Sequence, residues 1–251
     1  MDAWASTTVG RSVGARARPT TMTSGDDDDV PCMTTEEARA MFTVGASSAR
    51  VAPTRASWTP QTREWDCGLA CASFVFGRSA SDVAPRHRSM WTIDLAHLCI
   101  KMGARRATLA TTTIGVDPRL AEETFYADDY LRDVARVNAS FARAKREDAN
   151  SPVRVVRRRV RAETIAMIVN DGAHACVALV DRRELSSLET SDGFEGHYVV
   201  VEDANVDAKT FTLVDPAGDV RTKGRVVVSW SRFDDARRAF GTDEDLLFVS
   251  L

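Results

Sequence analysis

The residues best suited to chemistry begin with a cysteine at the start of a predicted helix. Cys67 opens the segment Cys67 to Gly77, and Asp66 stands at the N-cap position. Amides at a helix N-terminus favour a thiolate, and a thiol nucleophile also needs a nearby base and a donor for the oxyanion. Cys67 is therefore the candidate nucleophile, with Gly68 leaving its backbone open to a substrate. Cys71, one turn deeper, is expected to be buried.

The candidate base and its partner lie on two neighbouring strands. His197 opens the segment HYVVVED, and Asp215 closes the segment TFTLVD. The two positions are symmetric about Val206, in a polar stretch that predicts a turn, so a hairpin folded there places them opposite each other. The carboxylate would then hold the imidazole in the useful tautomer. The pattern predicts a Cys67–His197–Asp215 triad.

Each of these signals has a structural alternative. A cysteine at a helix start is more often a packing residue, and a histidine at a strand end usually has no special role. Asp215-Pro216 is also a common way to end a strand with a turn. The prediction depends on the three residues fitting one arrangement.

The elements that must position these residues form an α+β pattern, with helices before antiparallel strands. The predicted helices cover 67–77, 91–102, 128–148, 162–169 and 233–240. The predicted strands cover 153–157, 175–180, 197–202, 210–214, 226–230 and 246–249. The folded domain is expected to span 51–251.

Residues 1–50 differ in composition from the rest. They are rich in Ser, Thr, Ala, Gly and Arg and include the run Asp26 to Asp29, which predicts a disordered tail. The first 24 residues contain Arg11, Arg16 and Arg18 with one acid, which is typical of a transit peptide. An unstructured tail is the favoured interpretation, with organelle targeting as the alternative.

Bulk composition excludes several classes of partner. The 251 residues carry a formal net charge of −3, which argues against nucleic-acid binding. No apolar run reaches the roughly 18 residues of a membrane span. Five cysteines without an apolar leader indicate an intracellular, cytoplasmic setting without disulfides.

The nucleophile segment resembles that of the bacteriocin-leader peptidases and related papain-like proteins. The matching residues are Gln61, Cys67, His197, Asp215 and Pro216, in the segment Q-T-R-E-W-D-C-G-L-A-C and the two strand ends. The resemblance implies a papain-like fold in which Gln61 supplies an oxyanion donor. It also implies a peptide or amide substrate and no cofactor.

A second resemblance covers about residues 58 to 251. The chain is similar to the guanylyl cyclase domain-containing family of plants and animals. The shared motifs are W-D-C-G-L-A-C (65–71), W-T-I-D-L-A (91–96), T-I-G-V-D (113–117), F-Y (125–126), R-V-N-A-S-F (136–141), G-H-Y-V-V (196–200) and G-T-D-E-D-L-L-F-V (241–249). The family name implies conversion of GTP to cyclic GMP with Mg²⁺ or Mn²⁺.

The residues offer little for cyclase chemistry. No carboxylate pair stands at a spacing that suggests two metal ions around a triphosphate, and no Walker-type loop is present. Asp94 and Asp117 are weak metal candidates. The arginines of V-R-V-V-R-R-R-V-R (153–161) could grip phosphates, although a solvated strand is the simpler interpretation.

A zinc site is also disfavoured, because Cys67 and Cys71 lack a second cysteine pair. His174, which opens a strand, is expected beside the proposed site with a minor role. Three hypotheses remain: a cysteine hydrolase, a guanylyl cyclase, and a non-catalytic binding protein that retains the fold. The intact set of Gln61, Cys67, His197 and Asp215 favours the first over the third.

Overall fold

The computed structural model describes residues 29–42, 58–84, 89–127, 130–146, 151–186 and 193–251. The predicted transit-like segment, residues 1–24, lies outside this part of the chain. None of the helices among the described residues is long and apolar enough to span a membrane.

Helices of the described chain precede and separate the strands. They are α1 (Thr35–Phe42), α2 (Cys67–Phe76), α3 (Thr92–Lys101), α4 (Thr124–Ala127), α5 (Tyr130–Arg146), α6 (Ala162–Asn170), α7 (Arg182–Ser186) and α8 (Trp230–Arg237), with 3-10 helices at Pro118–Glu122 and Val220–Thr222. The strands are β1 (Arg106–Thr111), β2 (Val153–Arg157), β3 (His174–Asp181), β4 (Gly196–Asn205), β5 (Thr210–Val214), β6 (Arg225–Ser229) and β7 (Leu246–Ser250).

One sheet organises the described chain. Its strand order is β2-β1-β7-β3-β4-β5-β6, and the β1–β2 pair is parallel while the other pairs are antiparallel. The predicted α+β class is confirmed.

The hydrophobic core lies on both faces of this sheet. Helices α2, α3 and α5 cover one face, and α1, α6 and α8 cover the other. Alternate residues of β7 point to opposite faces of the sheet. Leu247 packs in the layer with α2, α3 and α5, and Phe248 packs in the layer with α1, α6 and α8. Because both faces of the sheet are buried, the central strands have nearly continuous apolar sequences.

Strand β1 and the helices α1, α4 and α7 were not predicted from the sequence. Strand β1 has the sequence RATLAT, whose alanines and threonines give a weak strand signal, yet it pairs with both β2 and β7. Residues 29–42 fall within the predicted tail, but α1 packs on the sheet. Met33, Ala38 and Phe42 are buried there, so the expectation that residues 1–50 lack a packed core is wrong for this stretch.

Replacing Phe42 tests whether α1 belongs to the cooperative unit. Its ring contacts Phe248 at 4.9 Å and His174 at 5.3 Å between centroids. We expect Phe42→Ala to lower the free energy of unfolding by about 3 kcal/mol, because it leaves a cavity. Leu131→Ala, at a side chain that is 88% exposed, should change it by less than about 0.5 kcal/mol. Urea denaturation measures both, and equal effects would mean that α1 is not part of the cooperative fold.

Candidate functional site

The start of helix α2 packs directly on strand β4. A Cβ atom at Gly68 would lie 3.2 Å from Tyr198 Cδ2 and from Met90 Cγ, so only glycine allows this approach without displacement. The Cys71 thiol donates to the Tyr198 carbonyl at 3.3 Å and is 1% exposed, which confirms the prediction that it is buried. Gly68 thus serves packing against Tyr198 rather than access for a substrate. The contact places Cys67 beside the first residues of β4.

Asp66 organises the loop before α2 rather than the helix itself. Its position is the N-cap, but it makes no side-chain capping bond. Its carboxylate instead accepts hydrogen bonds from the Thr62 amide at 3.1 Å, the Thr62 hydroxyl at 2.7 Å and the Arg63 amide at 3.1 Å. The predicted N-cap position of Asp66 is therefore confirmed, while its carboxylate is used by the preceding turn.

The structure brings Cys67, His197 and Asp215 together. His197 Nε2 lies 2.7 Å from Asp215 Oδ1, and the Cys67 thiol is near enough to the imidazole to raise its pKa. Because Asp215 occupies Nε2, Nδ1 is the ring nitrogen left for the thiol. His197 is 3% exposed and Cys67 is 6% exposed, so this chain of contacts is sheltered from water.

The strand register that produces the His197–Asp215 contact differs from the predicted one. Val200 pairs with Val214, whereas Asn205 pairs with Thr210, and the register shifts at a bulge between Val201 and Asp203. Extending the pairing of Val200 places Asp215 opposite residue 199 rather than opposite His197. The two side chains therefore meet diagonally on one face of the sheet, within the reach of cross-strand neighbours.

A tight turn after β5 fixes the Asp215 carboxylate. Its Oδ1 accepts from the Ala217 amide at 2.7 Å, and its backbone carbonyl accepts from Trp58 Nε1 at 3.1 Å. Gly224 lies against this turn with φ of +70°, where an added Cβ would be 2.2 Å from the Asp215 carbonyl oxygen. A glycine is required there by both its conformation and the space available.

Charge and burial act in opposite directions on the imidazole. Burial disfavours the imidazolium, but hydrogen bonds and charge from Asp215 and Cys67 outweigh it and raise the pKa of His197 to about 9. Burial likewise disfavours the Asp215 carboxylate, yet its hydrogen bond with His197 leaves the pKa of Asp215 below its ordinary value. The pair is an ion pair at neutral pH.

Gln61 lies close in the chain but faces another part of the surface. Its backbone amide donates to the Pro216 carbonyl at 2.9 Å, which ties it to the turn beside Asp215. Its side-chain Nε2 donates to the Arg63 carbonyl at 3.1 Å. The side chain lines a surface pocket with Thr59, Asp66 and neighbouring residues, whereas Cys67 lines a different cavity. The described structure thus does not bring the Gln61 amide to the nucleophile.

Cys67 lines a cavity of about 410 Å³, a size that suits a small ligand or part of a larger one. Two kinds of side chain dominate its walls. The carboxylates are Glu64, Asp133, Asp243 and Asp245, and the aromatic residues are Trp65, Trp91, Phe125, Tyr126 and Tyr198. No Arg, Lys or His is among the described residues that line it.

Hydrogen bonds and ring contacts hold these walls in place. The Tyr126 ring lies 5.0 Å from Trp91, and its hydroxyl donates to the Gly241 carbonyl at 2.8 Å. Trp91 Nε1 donates to Asp133 at 2.8 Å. The Tyr198 hydroxyl lies 3.0 Å from that of Thr92. The cavity therefore has fixed walls drawn from several distant segments of the chain.

Sequence reasoning missed this cavity, although a signal for it existed. Trp91, Phe125, Tyr126, Tyr198 and Asp245 each lie inside a motif shared with the resembled family. Taken one by one, these motifs indicate family membership, and nothing in a single motif indicates that it lies near the others. Their convergence on one cavity is the pattern that would have identified it.

The other candidate ligand residues are held by protein partners. Asp94 forms an ion pair with Arg136, and Asp117 forms one with Arg119 at 2.6 Å. Among the described residues, no group of three or more His, Cys, Asp or Glu side chains is arranged to hold a metal ion. The Asp94 and Asp117 carboxylates are therefore engaged by arginines.

The arginines of residues 153–161 lie away from the Cys67 cavity. Arg157 donates to the Thr112 carbonyl at 2.9 Å, and Arg158 and Arg159 pair with Glu37 at 3.3 Å and Glu244 at 2.8 Å. Two of the five arginines in this segment, Arg158 and Arg159, are therefore paired with carboxylates.

His174 also lies away from the site, which corrects the expectation that it stands beside it. It occupies one end of β3, whereas Val180 near the other end pairs with His197. Six residues of strand separate the two positions along β3, which corresponds to about 20 Å. His174 lines a separate pocket with Arg105 and Phe248.

The raised pKa of His197 predicts a specific loss of stability in base. Since the folded-state pKa is about 9 and the ordinary value is 6.5, the stabilisation is complete below pH 6.5 and is lost as pH rises through about 9. We expect this to lower the free energy of unfolding by on the order of 3 kcal/mol over that window. Asp215→Asn should flatten the dependence, because the imidazolium loses its main partner.

Urea denaturation at both ends of the window measures this effect. Asp207→Asn, at an exposed turn position, serves as a charge-matched control and should follow the parent curve. Parallel curves for the parent and Asp215→Asn would contradict the assignment.

Comparisons with known proteins place the chain in a family. A family model described as guanylylate cyclase matches residues 57–249. The chain is 32% identical over 210 residues to Guanylyl cyclase 1 of Arabidopsis thaliana, and the match covers 76% of this chain and 74% of that protein. The matched region contains α2 to β7, and therefore the Cys67 cavity and the His197–Asp215 pair. On these grounds, the chain belongs to the guanylyl cyclase family.

Proposed function

We propose that this protein is a cysteine hydrolase with a papain-like arrangement, acting on a peptide or amide bond. The observation that carries the proposal is that His197 contacts both Cys67 and Asp215. A nucleophile, a base and a residue that orients the base are the groups that acyl transfer to a thiol requires. Their order along the chain, with Cys before His before Asp, agrees with the resemblance to papain-like proteins.

The proposed reaction divides into acylation and deacylation. The Cys67 thiolate attacks the substrate carbonyl carbon and forms a thioester, and the carbon–nitrogen bond breaks as the His197 imidazolium gives its proton to the leaving amine. Water then attacks the thioester and gives its proton to His197, and the carbon–sulfur bond breaks, which releases the acid and restores the thiolate–imidazolium pair. Asp215 holds the ring through Nε2, so Nδ1 faces the reacting atoms.

The oxyanion needs a donor at the start of α2. The backbone amide of Cys67, at the first residue of the helix, is one candidate. Gln61 is the second: one of its two amide protons donates to Arg63, and a side-chain rotation would be needed to bring the amide towards the thiol. Its backbone link to Pro216 keeps it within the same loop cluster.

Guanylyl cyclase activity is the second candidate function, favoured by the name of the Arabidopsis relative. The Cys67 cavity is a poor place for it. Four carboxylates line this cavity, and a triphosphate would meet like charge there. Among the described residues, no group of three or more His, Cys, Asp or Glu side chains is arranged to hold Mg²⁺ or Mn²⁺. A binding protein that retains the fold without catalysis is the third candidate.

Thiol labelling separates these functions. Cys32 is exposed, so the experiment uses a Cys32→Ser background. Burial raises the pKa of Cys71 well above its usual range and raises those of Cys99 and Cys176 to about 12, which protects these thiols. We expect iodoacetamide at neutral pH to label Cys67 selectively, as followed by mass spectrometry. His197→Ala should slow the labelling by about 10²-fold, the lower end of what a positioned base contributes.

Three outcomes of the labelling experiment would count against the hydrolase. Labelling of Cys67 that is unchanged in His197→Ala would remove the base from the mechanism. Cyclic GMP formation from GTP that needs divalent metal and is unaffected by Cys67→Ala would favour the cyclase. A Cys67 thiol that does not react faster than a free thiol would favour the binding protein.

Substitutions of Gln61 and Asp215 should have different effects, because the two residues support different steps of the reaction. Gln61→Ala should lower hydrolysis of a peptide-amide library by about 10²- to 10³-fold if its amide stabilises the oxyanion. It should leave alkylation unchanged, because alkylation forms no oxyanion. Asp215→Asn should slow both reactions, since the imidazole loses its orienting carboxylate.

Paired measurements of alkylation and hydrolysis on the two variants test this division. If Gln61→Ala hydrolyses like the parent, the backbone amide at Cys67 is the sufficient donor. If both variants alkylate like the parent and hydrolysis is absent throughout, the binding protein replaces the enzyme.

A further inference from the structure

Aromatic rings form a connected wall of the Cys67 cavity. The Tyr126 ring lies 5.0 Å from the Trp91 ring, and it stacks on the Phe194 ring at 5.8 Å with 13° between the ring planes. Phe125 packs edge-on against Tyr126 at 5.0 Å and against Phe194 at 5.4 Å between centroids. Trp91, Phe125 and Tyr126 line the cavity itself. The wall is therefore an ordered set of ring faces and edges.

Two glycines leave the space that these rings occupy. A Cβ atom at Gly196 would lie 2.9 Å from Phe125 Cε1 and 3.0 Å from Phe194 Cε1. A Cβ atom at Gly241 would lie 2.9 Å from the Phe194 ring. Gly196 begins strand β4 and comes directly before His197. The rings therefore pack at the end of β4 that holds the imidazole.

Polar groups beside these rings are held within the protein. Asp133 accepts a hydrogen bond from Trp91 Nε1 at 2.8 Å, and the Tyr126 hydroxyl donates to the Gly241 carbonyl at 2.8 Å. Burial raises the pKa of Asp245 well above its usual range, which favours the uncharged acid. These groups anchor or border the wall, and the ring surfaces are what it offers to a ligand.

Phe125 connects the cavity with the protein surface. Its side chain is 49% exposed, although it also lines the cavity and packs against other rings. An exposed apolar surface that continues into a cavity is typical of a ligand site. Edge-on and offset contacts between aromatic rings contribute free energy beyond that of the buried area, so an aromatic group is the ligand that suits this wall best.

We infer that the Cys67 cavity is a subsite for an aromatic side chain of the substrate, next to the carbonyl that Cys67 attacks. The inference rests on the proposed function for the identity of that carbonyl. Trp91 and Tyr126 would contact the incoming ring from within the cavity, and Phe125 would contact it from the exposed side. The substrates are then peptides or amides with a phenylalanine, tyrosine or tryptophan side chain near the scissile bond.

A matched pair of peptide amides tests the subsite without relying on catalysis. N-acetyl-phenylalaninamide carries a flat ring, and N-acetyl-cyclohexylalaninamide carries a saturated ring with more apolar surface. Burial of area alone would favour the saturated ring, so tighter binding of the flat ring indicates a site built for aromatic contacts. In the full-length chain with Cys67→Ser, which prevents turnover, we expect the phenylalanine compound to bind about two- to tenfold more tightly by isothermal titration calorimetry.

Variants of Phe125 locate this preference. Phe125→Leu keeps an apolar side chain but removes the ring, so it should reduce the preference for the flat ring. Phe125→Tyr keeps the ring and should retain the preference. Leu131→Ala, at a side chain that is 88% exposed, is the control and should also retain it. Three results would overturn the inference: a preference unchanged in Phe125→Leu, equal or tighter binding of the saturated compound, or no measurable binding of either compound.

Protection of Cys67 then places the bound ring beside the thiol. In the Cys32→Ser background with Cys67 intact, N-acetyl-phenylalaninamide at about ten times its dissociation constant should slow iodoacetamide labelling of Cys67 about tenfold. Binding that leaves a reactive Cys67 unprotected would place the ring elsewhere and overturn the inference. If the Phe125-dependent preference is found but Cys67 reacts no faster than a free thiol, the proposed hydrolase fails and the aromatic subsite stands.

Discussion

The close contact between the first turn of α2 and strand β4 is the constraint on which the site depends. Gly68 lets the helix approach the Tyr198 ring, and the Cys71 thiol bonds to the Tyr198 carbonyl at 3.3 Å. Because His197 precedes Tyr198 on β4, the same contact sets the Cys67 thiol beside the imidazole. It also turns the Tyr198 ring into one wall of the cavity. A displacement of α2 would therefore have two effects at once: it would separate the thiol from the imidazole, and it would open the cavity.

Two electrostatic environments meet at Cys67. On the sheet side, His197 and Asp215 compensate each other, and burial strengthens their interaction because little water screens it. On the cavity side, carboxylates predominate and Asp245 lacks a donor for one oxygen. The thiol thus lies between a balanced ion pair and an acidic, aromatic space.

Sequence patterns predicted some parts of this structure well and others poorly, for identifiable reasons. Strands β2 and β5 have the predicted bounds, because their β-branched residues give a clear signal. The His197–Asp215 contact was predicted with the wrong register, since nothing in the sequence marks the bulge between Val201 and Asp203. Helix α1 was missed because its segment shares the composition of the tail before it. The cavity escaped prediction since its walls come from segments far apart in the chain, which only the tertiary fold unites.

The family name suggests a cyclase, whereas the proposed function is a hydrolase. The contacts among the shared motifs help to explain this difference. They are linked to one another: the Val116 amide donates to Asn138 at 3.0 Å, Arg136 pairs with Asp94, and Tyr126 bonds to the Gly241 carbonyl. Most of these links build the frame of the cavity rather than a phosphate site. The arginines that would suit a triphosphate lie elsewhere, held in part by Glu37 and Glu244. The residues shared with the family therefore hold the walls of the Cys67 cavity in place, and the side chains that line the cavity determine which ligands it can bind.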